Sequence, residues 1–190
     1  MAGRTLSQAV NTYIEPLAEA LLCITQRRLS RPPSQGLRPN TPYEAVLADM
    51  DSVELRGKVP LTFSAGQNFE ITELHELDER GPYEVHTRAY FYAIATAEGR
   101  DILEFHWQPD AKPTRDGERV VTAPHMHVGP AITAGQTAVR PGTFHKAHIP
   151  TGRVILQAVV RLLISEFEVE SLNTNWQAIL DRTEAEPRFW

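Results

Sequence analysis

The stretch Tyr83–Ala95 alternates with a period that extended backbone can use and a helix cannot. Val85, Ala89, Phe91 and Ala93 fall on one side of the pattern, and His86, Arg88, Tyr90 and Tyr92 fall on the other. Successive side chains of a strand point to opposite faces, so one face reads as buried and the other as partly polar. The residues Ala97-Glu98-Gly99-Arg100 then read as a turn, and Asp101–Trp107 as a second extended run. The economical arrangement is an antiparallel hairpin. Two strands alone are marginal in water, so the rest of the chain must supply further strands and a cover for the apolar face.

It supplies both. Upstream, Val53–Phe63 and Phe69–Leu77 read as strands, with Ser64–Asn68 and Asp78–Pro82 as turns. Downstream, a polar loop from Pro109 to Arg119 leads to another strand at Val120–Val128. The expected sheet is antiparallel, with about five strands. Helical periodicity flanks it. Leu6, Val10, Ile14, Leu17, Leu21 and Ile24 recur at steps of three and four, which predicts a helix from Leu6 towards Leu29. Pro16 should kink it or start it afresh near Glu15, and Arg27 and Arg28 would complement the negative end of its dipole.

Residues 30–42 hold four prolines in thirteen positions and read as a connector, with a helical turn expected around Tyr43 to Leu47. Thr151 is placed to cap a helix from Gly152 or Arg153 to about Phe167, with Ile155, Val159, Leu162 and Leu163 as its apolar stripe. A short helix from Thr174 to about Asp181 would follow. The fold class is α+β: one domain over residues 1–190, its sheet packed against an N-terminal helix and C-terminal helices.

Composition narrows the function classes. A chain of 190 residues with 42% apolar content can bury a core without staples. Its net charge of −5 provides no overall attraction for nucleic acid or anionic lipid. Cys23 is the one cysteine and sits among apolar residues, where a thiol behaves as a small core side chain. No segment is apolar for long enough to span a bilayer as a helix, and Met1–Ser7 lacks the features of a signal peptide. The expected location is the cytoplasm, with no membrane partner.

Chemistry concentrates late in the chain. Five of the seven histidines, His106, His125, His127, His145 and His148, fall within forty-three residues, while His75 and His86 stand apart and read as structural. His125 and His127 sit two apart on an expected strand and would present two imidazoles side by side. That pairing has two uses. In the first, imidazoles drawn from His106, His125, His127, His145 and His148 ligate a divalent transition metal such as zinc, leaving a position open for water. In the second, His125, His127, His106 and His148 act as acids and bases in metal-free RNA cleavage, with Arg88, Lys146 and Arg153 holding the phosphate. Arg153 would stand in the first turn of its helix, where backbone amides also favour an anion.

The order of parts resembles that of the TumE-like toxins of bacterial toxin–antitoxin modules. The resemblance covers about residues 83–165: the strand–turn–strand from Tyr83 to Trp107, the element Pro124-His125-Met126-His127-Val128-Gly129, and the helix from Arg153. It implies a small fold like that of RelE-type ribonucleases, RNA as substrate and an antitoxin partner, and it carries over His125 and His127 as motif positions. Where the family has an aromatic–acidic pair ending the second strand, this chain has His106-Trp107-Gln108, and the first eighty residues have no counterpart. A third reading makes the chain a non-enzymatic interaction module in which the N-terminal helix and its arginines bind a partner or form a homo-oligomer.

Overall fold

A computed structural model describes residues 2–78, 81–112, 120–129 and 147–185. Strand β1 (Ala2–Gly3) leads into helix α1 (Leu6–Leu21), and β2 (Pro42–Val46), β3 (Val53–Leu55), β4 (Leu61–Asp78), β5 (Gly81–Thr96), β6 (Asp101–Trp107), β7 (His125–Val128) and β8 (Ile149–Pro150) follow. Helices α2 (Leu156–Ser165) and α3 (Trp176–Ala185) close the described chain. The class is α+β as expected, with eight strands among the described residues rather than about five. All pairings between the named strands are antiparallel, in the order β2-β4-β5-β6-β7-β8, with β1 added to β5 and β3 to β4.

The start of α1 is fixed locally. Thr5 accepts a hydrogen bond from the Gln8 amide at 3.1 Å, and the Gln8 side chain accepts one from the Arg4 amide at 2.9 Å, so two otherwise orphaned donors are satisfied. The helix runs through Pro16 as one element and stops at Leu21, short of Arg27 and Arg28, so those arginines stand outside its last turn. Its stripe Ala9, Val10, Tyr13, Ile14, Leu17, Ala20 and Leu21 is buried. The stripe packs against β4, β5, α2 and α3. The apolar face of this helix is therefore used inside the molecule.

Tyr43 to Leu47 is not helical. Residues 42–46 form edge strand β2 along the middle of β4, and only residues 30–41 remain as connector. The expected turn at Ser64–Asn68 is also absent, and β4 runs through it without a break. Gln67 faces inward, where its Oε1 accepts from Tyr13 Oη at 2.5 Å and its Nε2 donates to Tyr92 Oη at 2.5 Å. Tyr13 Oη also lies 2.9 Å from Thr87 Oγ1. A buried amide in such a chain of partners costs nothing like an unpaired one, so a polar residue can stay in a central strand.

Strand β5 carries a bulge. Asn68 pairs with Ala89 but Phe69 pairs with Thr87, so Arg88 is the extra residue. A single inserted residue reverses which side chains face the core. Val85 and Thr87 face inward before it and Tyr90, Tyr92 and Ile94 after it, all buried, while Ala89, Phe91 and Ala93 take the opposite face. The expected assignment of Tyr90 and Tyr92 to the polar side is thus reversed beyond Arg88. Gly99, at φ +76°, supplies the left-handed residue of the β5–β6 turn.

Helix α2 begins at Leu156, with Ile155 as its N-cap and no side-chain capping bond, so Thr151 does not cap it and Arg153 precedes it by three residues. Buried Gln157 on α2 donates to the Pro16 carbonyl at 3.4 Å and the Thr183 carbonyl at 3.3 Å, joining all three helices. Helix α3 starts and ends later than expected, at Trp176 and Ala185. Among the described residues no helix is long and apolar enough to cross a membrane.

Candidate metal centre

The antiparallel register brings the histidines together. His125 on β7 pairs with His106 on β6, and His127 pairs with Glu104. Directly paired residues point to one face, as do residues two apart, so all four side chains share a face. Met126, between the two β7 histidines, packs on the core instead, which assigns the histidines to the face turned away from the helices. On the other flank Met126 pairs with Ile149 of β8. His148, one residue earlier, is therefore carried alongside His127.

The rings form a compact group. Centroid separations are 5.0 Å for His125–His127, 5.0 Å for His125–His148 and 4.6 Å for His127–His148. His106 stacks beside His125 at 5.8 Å and meets His127 edge-on at 5.3 Å. One nitrogen from each of His125, His127 and His148 lies within 4.8 Å of the others. Ligand nitrogens around a tetrahedral zinc stand about 3.3 Å apart, given bonds near 2.0 Å, so modest ring rotations would close the set. His148 is exposed and precedes β8, which leaves its ring room to turn.

The tautomer of His125 follows from its partner. Its Nδ1 lies 2.8 Å from the Ala123 carbonyl oxygen. A carbonyl only accepts, so Nδ1 carries the proton and Nε2 presents its lone pair when the ring is neutral. This backbone contact is the type that orients metal-bound imidazoles. Burial pushes the His125 pKa down; the Ala123 contact opposes this, and nearby His106 and His148 add to it. Burial also lowers His127, helped by His106, His148 and His125 and opposed by Glu104. Both rings therefore favour the neutral, ligating form.

Glu104 was not among the expected site residues. Its Oε2 lies 3.6 Å from His106 Nε2, and that polar contact, opposed by partial burial, holds its carboxyl below the usual range. The signal was available in the spacing, since Glu104 and His106 are two apart on one strand and must share a face. Of the other residues singled out in the sequence, Arg88 and Arg153 lie elsewhere. Arg88 is tied to Glu70, Nε to Oε2 at 2.9 Å. The Arg153 guanidinium lies 4.0 Å from the centre of the Trp107 ring, on the core side of β6. His86 contacts Glu84 at 3.2 Å. His145, Lys146 and the side chain of His75 lie outside the described residues.

Comparison with known proteins adds no relative: no family model, no curated protein and no solved structure matches this chain.

Proposed function

We propose that this protein holds a divalent transition-metal ion such as zinc on His125, His127 and His148, and that it is a metal-dependent hydrolase. The observation that carries the reading is the convergence of three imidazole nitrogens within 4.8 Å, one of the rings already oriented through a backbone carbonyl. Three neutral nitrogen donors without a thiolate suit zinc, nickel, copper or iron, and three protein ligands leave a position open for water or substrate. An ion so held supplies Lewis acidity to a carbonyl or phosphoryl oxygen and lowers the pKa of bound water. The chain's own contribution is to fix the rings and to set a polar pair beside them. Glu104 holds His106 at the rim of the trio, where His106 can hydrogen-bond an incoming polar group.

The test is elemental analysis of protein purified without a polyhistidine tag. Near-stoichiometric metal is expected, and its loss in a folded His125→Ala/His127→Ala variant would tie it to the site. Metal-free wild-type protein that takes up none on dialysis against zinc sinks the proposal.

The same four imidazoles support a second reading, a toxin-like ribonuclease with an antitoxin partner, because clustered histidines can divide acid and base roles near neutral pH. It ranks second because its two described cations, Arg88 and Arg153, are engaged away from the cluster. Growth inhibition by metal-free protein, abolished by His125→Ala/His127→Ala, would reverse the order.

A further inference from the structure

The histidine face continues across the sheet. His125, His106, Phe91 and Gly66 are consecutive register partners on β7, β6, β5 and β4, and so form one row. The adjacent row runs through His127, Glu104, Ala93 and Ser64. Phe91 is half-buried, on the face away from the helices, and it belongs to neither the hydrophobic core nor the side chains packed against it. Its ring lies down over Gly66: a Cβ there would collide with Phe91 Cε1 and stand 3.0 and 3.1 Å from Cζ and Cδ1. Its same-face neighbours along β5, Ala89 and Ala93, are too small to cover the ring. Neither row contains a lysine or arginine.

We infer that Phe91 is a specificity-determining residue of the proposed metal centre, a platform on which an uncharged planar ring of the substrate stacks. The inference rests on the metal reading above. Strands are spaced about 4.8 Å apart and the Phe91 ring reaches over β4, the third strand from β7, so the platform accepts a ring roughly 14 Å from the β7 histidines. The substrate class is a compound whose hydrolysed bond and aromatic or heteroaromatic ring are separated by that distance. Apolar and ring-stacking contacts, rather than ion pairing, select it.

A pair of zinc-binding probes isolates the platform: octanohydroxamate, which has only the metal-binding head and a chain, and 8-phenyloctanohydroxamate, whose ring reaches roughly 14 Å, about as far as the Phe91 ring over β4. Affinities of both are measured by calorimetry on the zinc-loaded full-length chain. Wild type should bind the phenyl compound about fivefold more tightly, the usual worth of one aromatic pair. Phe91→Leu should remove most of that advantage and change octanohydroxamate affinity little. Gly66→Ala, which keeps the phenyl ring of Phe91 but lifts it, should also reduce the advantage; if that variant does not fold, Phe91→Leu decides alone. An equal phenyl advantage in wild type and Phe91→Leu, with both loaded with zinc, overturns the platform and leaves the metal centre standing. Failure of both hydroxamates to bind a chain that takes up no zinc overturns the metal reading and this inference with it.

Discussion

His148→Ala separates a metal ligand from a structural histidine. His148 is exposed, and its ring contacts among the described residues are with the other site rings, so in the metal-free protein its removal should change stability by no more than about 0.5 kcal/mol. With zinc the outcome differs. A ligand that binds only the folded state adds about 2.7 kcal/mol at a hundred times its Kd. For a chain of 190 residues, at about 2–4 °C per kcal/mol, that raises the wild-type melting temperature by roughly 5–10 °C. Removing one of three ligands should weaken binding at least a hundredfold, and at the same zinc concentration the gain then falls to about 0.4 kcal/mol, or roughly 1 °C. The assay is thermal unfolding by circular dichroism, with chelator and with zinc, for wild type and variant in parallel. A His148→Ala protein that gains as much as wild type would remove His148 from the site. Wild type that gains nothing would refute the reasoning as a whole.

Further outcomes follow from other parts of the molecule. Tyr13→Phe removes a hydroxyl shared by Gln67 and Thr87 inside the core and should cost about 2 kcal/mol in denaturant unfolding; a cost near zero would show that the buried chain of hydrogen bonds contributes no net stability. In the metal-free protein the depressed pKa values of His125 and His127 mean that the unfolded chain binds more protons just below the ordinary imidazole value of about 6.5. Their contribution is complete above that pH and is lost as pH falls through the lower folded-state values, so denaturation midpoints should drop from pH 7 to pH 5 and drop less in His125→Ala/His127→Ala. Arg153→Ala should lower stability by about 0.5–1 kcal/mol through its contact with Trp107 and leave zinc content unchanged; loss of bound metal would place Arg153 at the site.

The limits of legibility lie in the register. Period-two alternation in Tyr83–Ala95 was enough to identify β5, and step-three and step-four spacing was enough for α1. Neither pattern marks a bulge, because an inserted residue leaves the composition unchanged while reversing the faces beyond it. Arg88 therefore split β5 into two halves of opposite sense, and an alternation read across the whole strand put Tyr90 and Tyr92 on the wrong side. The turn expected at Ser64–Asn68 failed for a related reason. Glycine and polar residues resemble a turn when read alone, but Gly66 lies under Phe91, and Gln67 has Tyr13 and Tyr92 as partners. Those partners are distant in sequence, and only the tertiary fold brings them to Gln67.

The candidate site shows the same division at finer scale. The i, i+2 rule was sufficient to place His125 with His127, and the same rule applied one strand earlier would have placed Glu104 with His106. What no local rule supplies is the relation between the two pairs, because a shift of one residue between β6 and β7 would set His125 and His127 opposite Phe105 and the core. That register is held by apolar pairing: Met126 faces Phe105 and Val128 faces Leu103. The chemistry of the outer face thus depends on side chains that never touch it. Polar substitution at Met126 should disperse the histidine trio before it unfolds the domain, since β7 is a short strand near the end of the sheet and much of the core lies beyond it. Loss of zinc binding in Met126→Gln, with α1 and the β4–β5 pairing still protected from hydrogen exchange, would show that dependence directly. Retention of full metal affinity in that variant would show instead that the site is held by its own ligands.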